Sequence, residues 1–227
     1  MRSKFLLFFF LLLFANVSLA VNSGDYLAGR YALLNKDYNA AINFFEKSLD
    51  INKINKKNDN GNLEIAKELC TLYLLTNKIN KCVSIGIKIE EYLDTDSSLI
   101  FLALIIDDIK NKDFNSALKR TNKIKRDFYE RFSIPIIKAW IMAIHKKNYK
   151  ESIQTINELE KDFAIDGLRY THIALINEYF EKYEEANIFY EKSINSFSSP
   201  SFRLVQLAGN SFERSGKIEK AKKLYLK

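Results

Sequence analysis

One phrase recurs along the chain and constrains its fold more than any other feature. The stretch KDYNAAINFFEKSLD, residues 36–50, shares its frame with EKYEEANIFYEKSIN, residues 181–195. In both, a large residue is followed by a small residue three positions later and by an aromatic residue four positions after that. Six equivalents of the large opening residue are spaced by 41, 35, 35, 34 and 35 residues: Tyr38, Ile79, Phe114, Tyr149, Tyr183 and Ile218. Self-similarity at such a period predicts a repeat protein.

Each repeat is predicted to contain two α-helices. An apolar segment with helical spacing, such as residues 26–34, precedes each phrase, and a short polar turn separates the two. The small residue of each phrase lets the second helix approach the first closely. These small residues are Ala41, Cys82, Ala117, Ser152, Ala186 and Ala221. One hairpin cannot bury its apolar face alone, so the pattern predicts an all-α stack of hairpins.

At this level the chain resembles the tetratricopeptide repeat family, which has a period of 34 residues. The family carries Gly or Ala in the first helix, nine residues before the opening aromatic residue. The corresponding residues here are Gly29, Cys70, Ile105, Trp140, Ala174 and Gly209. Repeats one, five and six fit well, whereas the middle repeats depart from the pattern and the usual closing Pro is missing. The resemblance implies a right-handed α-solenoid of about six helix–turn–helix units, at 22–55, 63–96, 98–131, 133–166, 167–200 and 202–227.

Two irregularities accompany the repeats. The first spacing is longer than the others, and the excess lies in the polar stretch INKKNDNG, residues 54–61, which predicts a mobile loop. The sixth repeat stops partway through its second helix, without the polar cap that solenoids normally carry. We therefore expect the natural product to continue beyond Lys227.

The first twenty residues are predicted to be a signal peptide rather than part of the fold. Arg2 and Lys4 precede the apolar run FLLFFFLLLF, and Ser18 and Ala20 are the small residues that a signal peptidase requires. Cleavage is expected after Ala20. An uncleaved membrane anchor is the alternative, but a spanning helix needs roughly 20 apolar residues, which is about twice this run. We expect an exported protein in the periplasm, with no stable membrane insertion after cleavage.

Charge and motif content point away from nucleic acid and from catalysis. The formal net charge of +7 becomes +5 when Arg2 and Lys4 are removed, and basic residues are mixed with acidic ones along the chain. The two histidines, His145 and His172, lie in different repeats without zinc-ligand spacing. Ser116 and Lys119 match an S-x-x-K pattern but lack its companion motifs. No cofactor is expected.

A binding surface remains as the candidate functional site. In the tetratricopeptide family, partners bind along the concave face formed by the first helices. The predicted groove residues here are mostly apolar: Leu102, Ile106, Ile109, Ile137, Ile141, Ile144, Leu175 and Tyr179. An exposed apolar patch usually marks an interaction site. Two alternatives stay open: the register is shifted by a residue, or another segment covers the patch. The family's clamp for a C-terminal carboxylate is not expected, because only Arg30 of its residues is present.

The sequence thus predicts an exported scaffold that binds a protein or peptide partner on the concave helix surface and has no catalysis of its own. One alternative is a helical accessory region of a cell-envelope enzyme, such as a lytic cell-wall enzyme, whose catalytic domain lies beyond the C-terminus. A second is a non-catalytic component of envelope or pilus assembly.

The family resemblance also makes a disulfide possible. Cys70 lies in the first helix of the second repeat, and Cys82 occupies the small site of its second helix. In the tetratricopeptide fold these two sites face each other where the helices are closest. An exported protein meets an oxidising environment, so we expect a possible Cys70–Cys82 disulfide. Two buried free thiols that pack as small apolar residues are the alternative.

Overall fold

The computed structural model describes residues 17–54, 61–124, 130–159 and 163–226. Within these ranges the chain forms α-helices and two single-turn 3₁₀ helices, and no strand occurs in them. The all-α prediction is confirmed. Most of the predicted signal peptide and most of the predicted loop at 54–61 lie outside the described residues. The expected cleavage site after Ala20 falls within a described stretch of helix.

The described α-helices follow one another in pairs. They are α1 (Val17–Leu34), α2 (Tyr38–Ser48), α3 (Asn62–Leu75), α4 (Ile79–Ile89), α5 (Ser98–Lys110), α6 (Phe114–Thr121), α7 (Glu130–Ile144), α8 (Tyr149–Asn157), α9 (Phe163–Tyr179), α10 (Tyr183–Asn195), α11 (Phe202–Arg214) and α12 (Ile218–Tyr225). The chain divides into two compact modules, an N-terminal module ending at Ile124 and a C-terminal module from Lys125. Each module contains three consecutive helix pairs.

The predicted repeat register is found in every pair. Each second helix begins at the large residue that opens the phrase, from Tyr38 in α2 to Ile218 in α12. The small residue three positions later is 0% exposed in all six pairs. A larger side chain at this site would force the two helices of a pair apart.

In three repeats the second helix carries a large ring, and the first helix carries a small residue opposite it. In the first repeat the ring of Phe45 on α2 lies against Gly29 on α1, and a Cβ at Gly29 would be 2.7 Å from that ring. Tyr225 occupies the same position against Gly209 in the sixth repeat. In the fifth, Tyr190 packs in one cluster with Ala174. Each of these rings therefore needs a small residue opposite it on the first helix.

The second and fourth repeats match the sizes of the facing side chains in other ways. In the second repeat the residues at both of these sites, Cys70 on the first helix and Gly86 on the second, are small. Side chains of the third repeat fill the space beside Gly86. A Cβ at Gly86 would be 3.0 Å from Ile100 Cγ2 and 3.3 Å from Leu104 Cδ2, both on α5. In the fourth repeat the large residue is on the first helix, where Trp140 packs against the cluster that contains Ile156. In these two repeats, a side chain of unusual size at one site is thus compensated by the size of the side chains that pack against it.

The two cysteines lie close together, as the register predicts. Both are fully buried, and both are free thiols in this structure. The Sγ of Cys70 donates a hydrogen bond to the backbone carbonyl of Cys82, 3.4 Å away. The hydrogen bond to the Cys82 side chain and burial raise the pKa of the Cys70 thiol. The two thiols therefore lie next to each other, and the Cys70–Cys82 disulfide stays a prediction.

A nearly buried ion network ties the second repeat to the third. Arg120 on α6 donates two hydrogen bonds to Glu90, of 3.1 and 2.8 Å, and it also pairs with Asp108 on α5. Lys123 donates to Glu90 at 2.9 Å. The hydrogen bonds from Arg120 hold the pKa of Glu90 down to about 2, whereas burial raises the pKa of Asp108. Removing one member of such a network leaves an uncompensated charge, which is strongly destabilising.

All six turns between paired helices contain a residue in the left-handed conformation. Five are not glycine and have φ between 51° and 63°, while the sixth is Gly216 at 75°. The five are Lys36, Asn77, Lys112, Lys147 and Glu181. In every turn except the fourth, the next N–H donates to the carbonyl five residues earlier, as in a Schellman motif; in the last turn this bond joins Lys217 to Phe212 at 2.8 Å. The conformation strains an L-residue by about 1–2 kcal/mol.

We predict that Glu181→Gly stabilises the protein. Glycine adopts the left-handed conformation without a Cβ penalty, and part of this gain is offset by its greater backbone entropy in the unfolded chain. The expected net increase in the free energy of unfolding is about 0.5–1 kcal/mol, measured from urea denaturation followed by circular dichroism.

The matched control is the reverse change in the next turn, Gly216→Ala. It places a Cβ at a φ of 75° and is expected to lower the urea midpoint. A lower midpoint for Glu181→Gly would show that the turn does not store the strain described above.

Candidate functional site

The first predicted groove segment lies on α5 in the N-terminal module. Ile106 is 58% exposed, although the preceding residue, Ile105, is completely buried. Leu102 and Ile109, which lie one turn to either side of Ile106, are half-buried. The α5 surface, defined as Leu102, Ile106 and Ile109, is therefore an apolar stripe that reaches water at its centre.

The second predicted segment, on α7 and α9 in the C-terminal module, is only partly at the surface. Ile144 and Tyr179 are exposed, and Ile137 and Leu175 are half-buried. Leu175 also packs against the buried cluster around Tyr190. Ile141, in contrast, is 1% exposed and belongs to the core. The expectation that Ile141 faces a partner therefore does not agree with the structure.

The physical reason lies in the residue before Ile141. In the other five repeats the site nine residues before the opening aromatic residue is buried. In α7 this site holds Trp140, which is only half-buried, and Ile141 is buried beside it instead. An indole is larger than the Gly, Ala, Cys and Ile residues that are buried at this site in the other repeats. Trp140 therefore lies at the edge of α7, against α9.

Trp140 is the centre of a group of side chains that we call the aromatic surface: Trp140, Ile144, Lys147, His172 and Tyr179. The indole Nε1 donates a hydrogen bond to His172 Nδ1 at 3.1 Å. The Trp140 ring also meets the ring of Tyr179 edge to face, with the centroids 6.3 Å apart. Tyr179 in turn contacts Phe180 edge to face at 5.2 Å. Such edge-to-face pairs fix the rings relative to one another.

Lys147 completes the aromatic surface from the turn between α7 and α8. Its ammonium lies 4.6 Å from the centroid of the Tyr179 ring and donates a hydrogen bond to the Tyr179 hydroxyl. Lys147 is also the left-handed residue of its turn. The turn conformation therefore directs a positive charge to the rim of the aromatic surface.

His172 is held in one tautomer by Trp140. Because Nδ1 accepts the indole N–H, the neutral ring carries its proton on Nε2. Burial lowers the pKa of His172 below its ordinary value of 6.5. The ring is consequently neutral at pH 7, and protonation of Nδ1 would break the bond to Trp140.

Sequence reasoning identified Ile144 and Tyr179 but missed the contribution of Trp140, His172 and Lys147 to the surface. The available signal was Trp140 itself, a large aromatic residue at a site where the family carries a small one. His172 and Lys147 had no such signal, because only the packing of α9 against α7 brings them to Trp140. His145, the other histidine, is exposed.

The described residues contain no group of three or more His, Cys, Asp or Glu side chains arranged to hold a metal ion. None of their helices combines the length and the apolar character that crossing a membrane requires.

We predict that the fluorescence of Trp140 reports the protonation of His172 with a midpoint below pH 6.5. The chain has one Trp, so its emission reports on this site alone. Burial lowers the pKa in the folded state, so the unfolded chain binds the proton more readily. Stability contributed by neutral His172 is therefore lost as the pH falls below about 6.5. The measurement is a titration of the emission from pH 8 to 4.

Two variants serve as controls for this titration. His172→Gln should abolish the transition, and His145→Gln should leave it in place. A midpoint at or above 6.5, or an unchanged transition in His172→Gln, would contradict the assignment.

Comparison with known proteins places the fold but not the function. No protein-family model matches the chain, and no curated protein matches it. A tetratricopeptide repeat protein from Parabacteroides merdae ATCC 43184 superposes with a TM-score of 0.65 at 13% identity, covering 90% of this chain and 77% of that one.

Two further solved structures are similar over most of their length but superpose less well. A thermophilic tetratricopeptide repeat protein of Thermus thermophilus has a TM-score of 0.48 at 14% identity, with 84% and 98% coverage. MamA from Desulfovibrio magneticus RS-1 has a TM-score of 0.38 at 11% identity, with 91% and 92% coverage. The inference about the fold depends on the Parabacteroides protein. With that likeness and the sequential helix pairs, the chain has the fold of a tetratricopeptide-like α-solenoid of about six repeats.

Proposed function

We propose that this protein is an exported scaffold that binds a protein partner through its first helices and performs no catalysis of its own. The tetratricopeptide-like fold supports protein binding, because solenoids of this type present extended surfaces to partners. The basic start, apolar run and small residues of the first twenty positions support export to the periplasm.

The observation that carries the proposal is the grouping of apolar side chains on first helices. Ile106 lies between Leu102 and Ile109 on α5, and Ile144 belongs to the aromatic surface with Trp140 and Tyr179. Exposed apolar residues that occur singly are normal, whereas contiguous patches mark interaction sites. Full burial of one Ile or Leu side chain contributes about 1.5–3 kcal/mol, so either surface can supply a useful share of a binding free energy.

The second helices provide an internal comparison. Ile87 on α4 is 56% exposed, nearly the same fraction as Ile106. On α4, however, Val83 one turn away is buried, and the exposed neighbours Ser84 and Lys88 are polar. Ile87 is therefore a single apolar side chain on a polar surface, and it offers a control of matched exposure.

We predict that a photo-crosslinking amino acid at position 106 captures a partner in the protein's own cells and that one at position 87 does not. The physical reason is that a partner that buries the α5 surface must approach Ile106. Crosslinked species are detected as bands of higher mass and identified by mass spectrometry. A parallel pair in the C-terminal module compares position 144 with position 188, where exposed Ile188 lies on α10.

Equal crosslinking from the first and second helices would contradict binding through the first helices. Absence of any crosslink at positions 106 and 144, in cells that contain the full-length protein, would contradict the scaffold function itself.

Export is tested separately. We predict that the protein recovered from cells lacks its first twenty residues and begins at Val21, as measured by intact mass and N-terminal sequencing. The control is Ala20→Arg, which removes the small residue that the peptidase requires and should leave the full-length precursor. A mature protein that retains Met1 to Ala20 would contradict cleavage and favour the membrane-anchor alternative.

A further inference from the structure

The aromatic surface contains a positive charge that no carboxylate of the described residues neutralises. Among the described residues, the ammonium of Lys147 interacts with the ring and the hydroxyl of Tyr179, and no carboxylate pairs with it there. Glu181 and Glu178 follow or precede Tyr179 closely in sequence. Within the described residues, however, Glu181 forms no ion pair with Lys147, and Glu178 is engaged by Arg214 at 3.1 Å and by the Tyr190 hydroxyl at 2.6 Å.

Several other lysines of the C-terminal module are paired with glutamates. Lys217 pairs with Glu184, and Lys220 pairs with Glu191 at 2.7 Å. Lys146, which is next to Lys147 in sequence, lies 3.8 Å from Glu151. Lys192 also lies beside rings, 5.0 Å from the Phe189 centroid, without a carboxylate partner among the described residues. Lys147 differs from it because the ring that it contacts, Tyr179, belongs to the aromatic surface together with Trp140.

We propose that the aromatic surface binds a peptide segment of a partner in which an aromatic or large aliphatic side chain stands next to an Asp or Glu. The apolar side chain packs against Trp140, Ile144 and Tyr179, and the carboxylate pairs with Lys147. This inference deepens the proposed function and rests on it, because it names the chemistry of the partner at one of the two surfaces.

The hydrogen-bonding state of the surface favours a peptide side chain over a sugar. Carbohydrate recognition needs free donors and acceptors beside the aromatic rings. Here the indole N–H already donates to His172, and the Tyr179 hydroxyl oxygen already accepts from Lys147. An apolar side chain needs none of these groups, so it displaces water from the rings without leaving a polar group unsatisfied.

Charge complementarity supplies the second part of the specificity. A carboxylate at Lys147 replaces a solvated ammonium at the rim with an ion pair beside an apolar surface, where water is partly excluded. Rim charges mainly set specificity and association rate, and their effect weakens with salt. Binding should therefore depend on the carboxylate and on ionic strength, whereas the aromatic contact should not depend on salt.

The single tryptophan makes the test direct, because Trp140 is part of the surface. The full-length mature protein is titrated with the acetylated and amidated peptide Gly-Phe-Asp-Phe-Asp-Gly, and the emission of Trp140 is followed. The matched probe replaces both Asp residues with Asn. We expect a saturable change with the acidic peptide and at least five-fold weaker binding of the Asn peptide. That difference should be lost between about 0.05 and 0.5 M salt, because the screening length becomes roughly three-fold shorter.

Matched variants separate the two contacts. Lys147→Gln should reduce the affinity for the acidic peptide at least five-fold and leave that for the Asn peptide unchanged. Lys150→Gln, which removes an exposed lysine of α8, should alter neither. Tyr179→Ala should weaken both peptides, and circular dichroism confirms that each variant remains folded.

Each outcome decides one question. Equal affinity of the two peptides for the wild-type protein, or no effect of Lys147→Gln, overturns the acidic specificity. No response to either peptide at millimolar concentration, or a response to a chitin hexasaccharide instead, overturns peptide binding at this surface. In those cases crosslinking from Ile106 in the N-terminal module still tests the scaffold function independently, so the two failures are distinguishable.

Discussion

The close approach of the two helices in each repeat is the constraint on which the rest of the structure depends. A fully buried small residue on the second helix, from Ala41 to Ala221, permits that approach in all six pairs. Where the second helix also carries a ring, as at Phe45, the first helix must provide a residue without a large side chain, such as Gly29. Packing at this density leaves no room for an extra methyl group without movement of a neighbour. The repeat is therefore defined by volume rather than by residue identity.

The same constraint produces the candidate functional surface. Because the small site of α7 holds Trp140, the indole is displaced to the helix edge and Ile141 is buried in its place. The displaced ring then contacts His172 and Tyr179 of the next first helix. A departure from the repeat pattern thus supplies both a contact between neighbouring repeats and an aromatic surface that water reaches. Such a break in the repeat pattern is expected at a functional site, because function can require a side chain that does not suit the repeat.

The ion pairs among the described residues are of two kinds. In the N-terminal module, Arg120, Glu90 and Asp108 form a network with little exposure that joins two repeats. In the C-terminal module many lysines pair with glutamates at the surface, and such exposed pairs contribute little to stability. Lys147, at the rim of the aromatic surface, interacts with Tyr179 and has no carboxylate partner among the described residues. The network of Arg120 joins two repeats of the fold, whereas Lys147 is the charge to which the acidic residue of the proposed partner would bind.

The amino-acid sequence by itself determined the number of repeats, the start of every second helix and the buried small residue of each second helix. It could do so because a period and a pattern of residue sizes are local properties of the chain. It also indicated an apolar surface on the first helices, in which Ile106, Ile144 and Tyr179 are indeed exposed. The tertiary structure alone decided which neighbours share that surface. The burial of Ile141 depends on how α7 accommodates Trp140, and the meeting of Lys147 with Tyr179 depends on a left-handed turn and on the packing of α9. Periodicity assigns a residue to a face of its helix, but contacts between helices are set by the volumes of side chains far apart in the sequence.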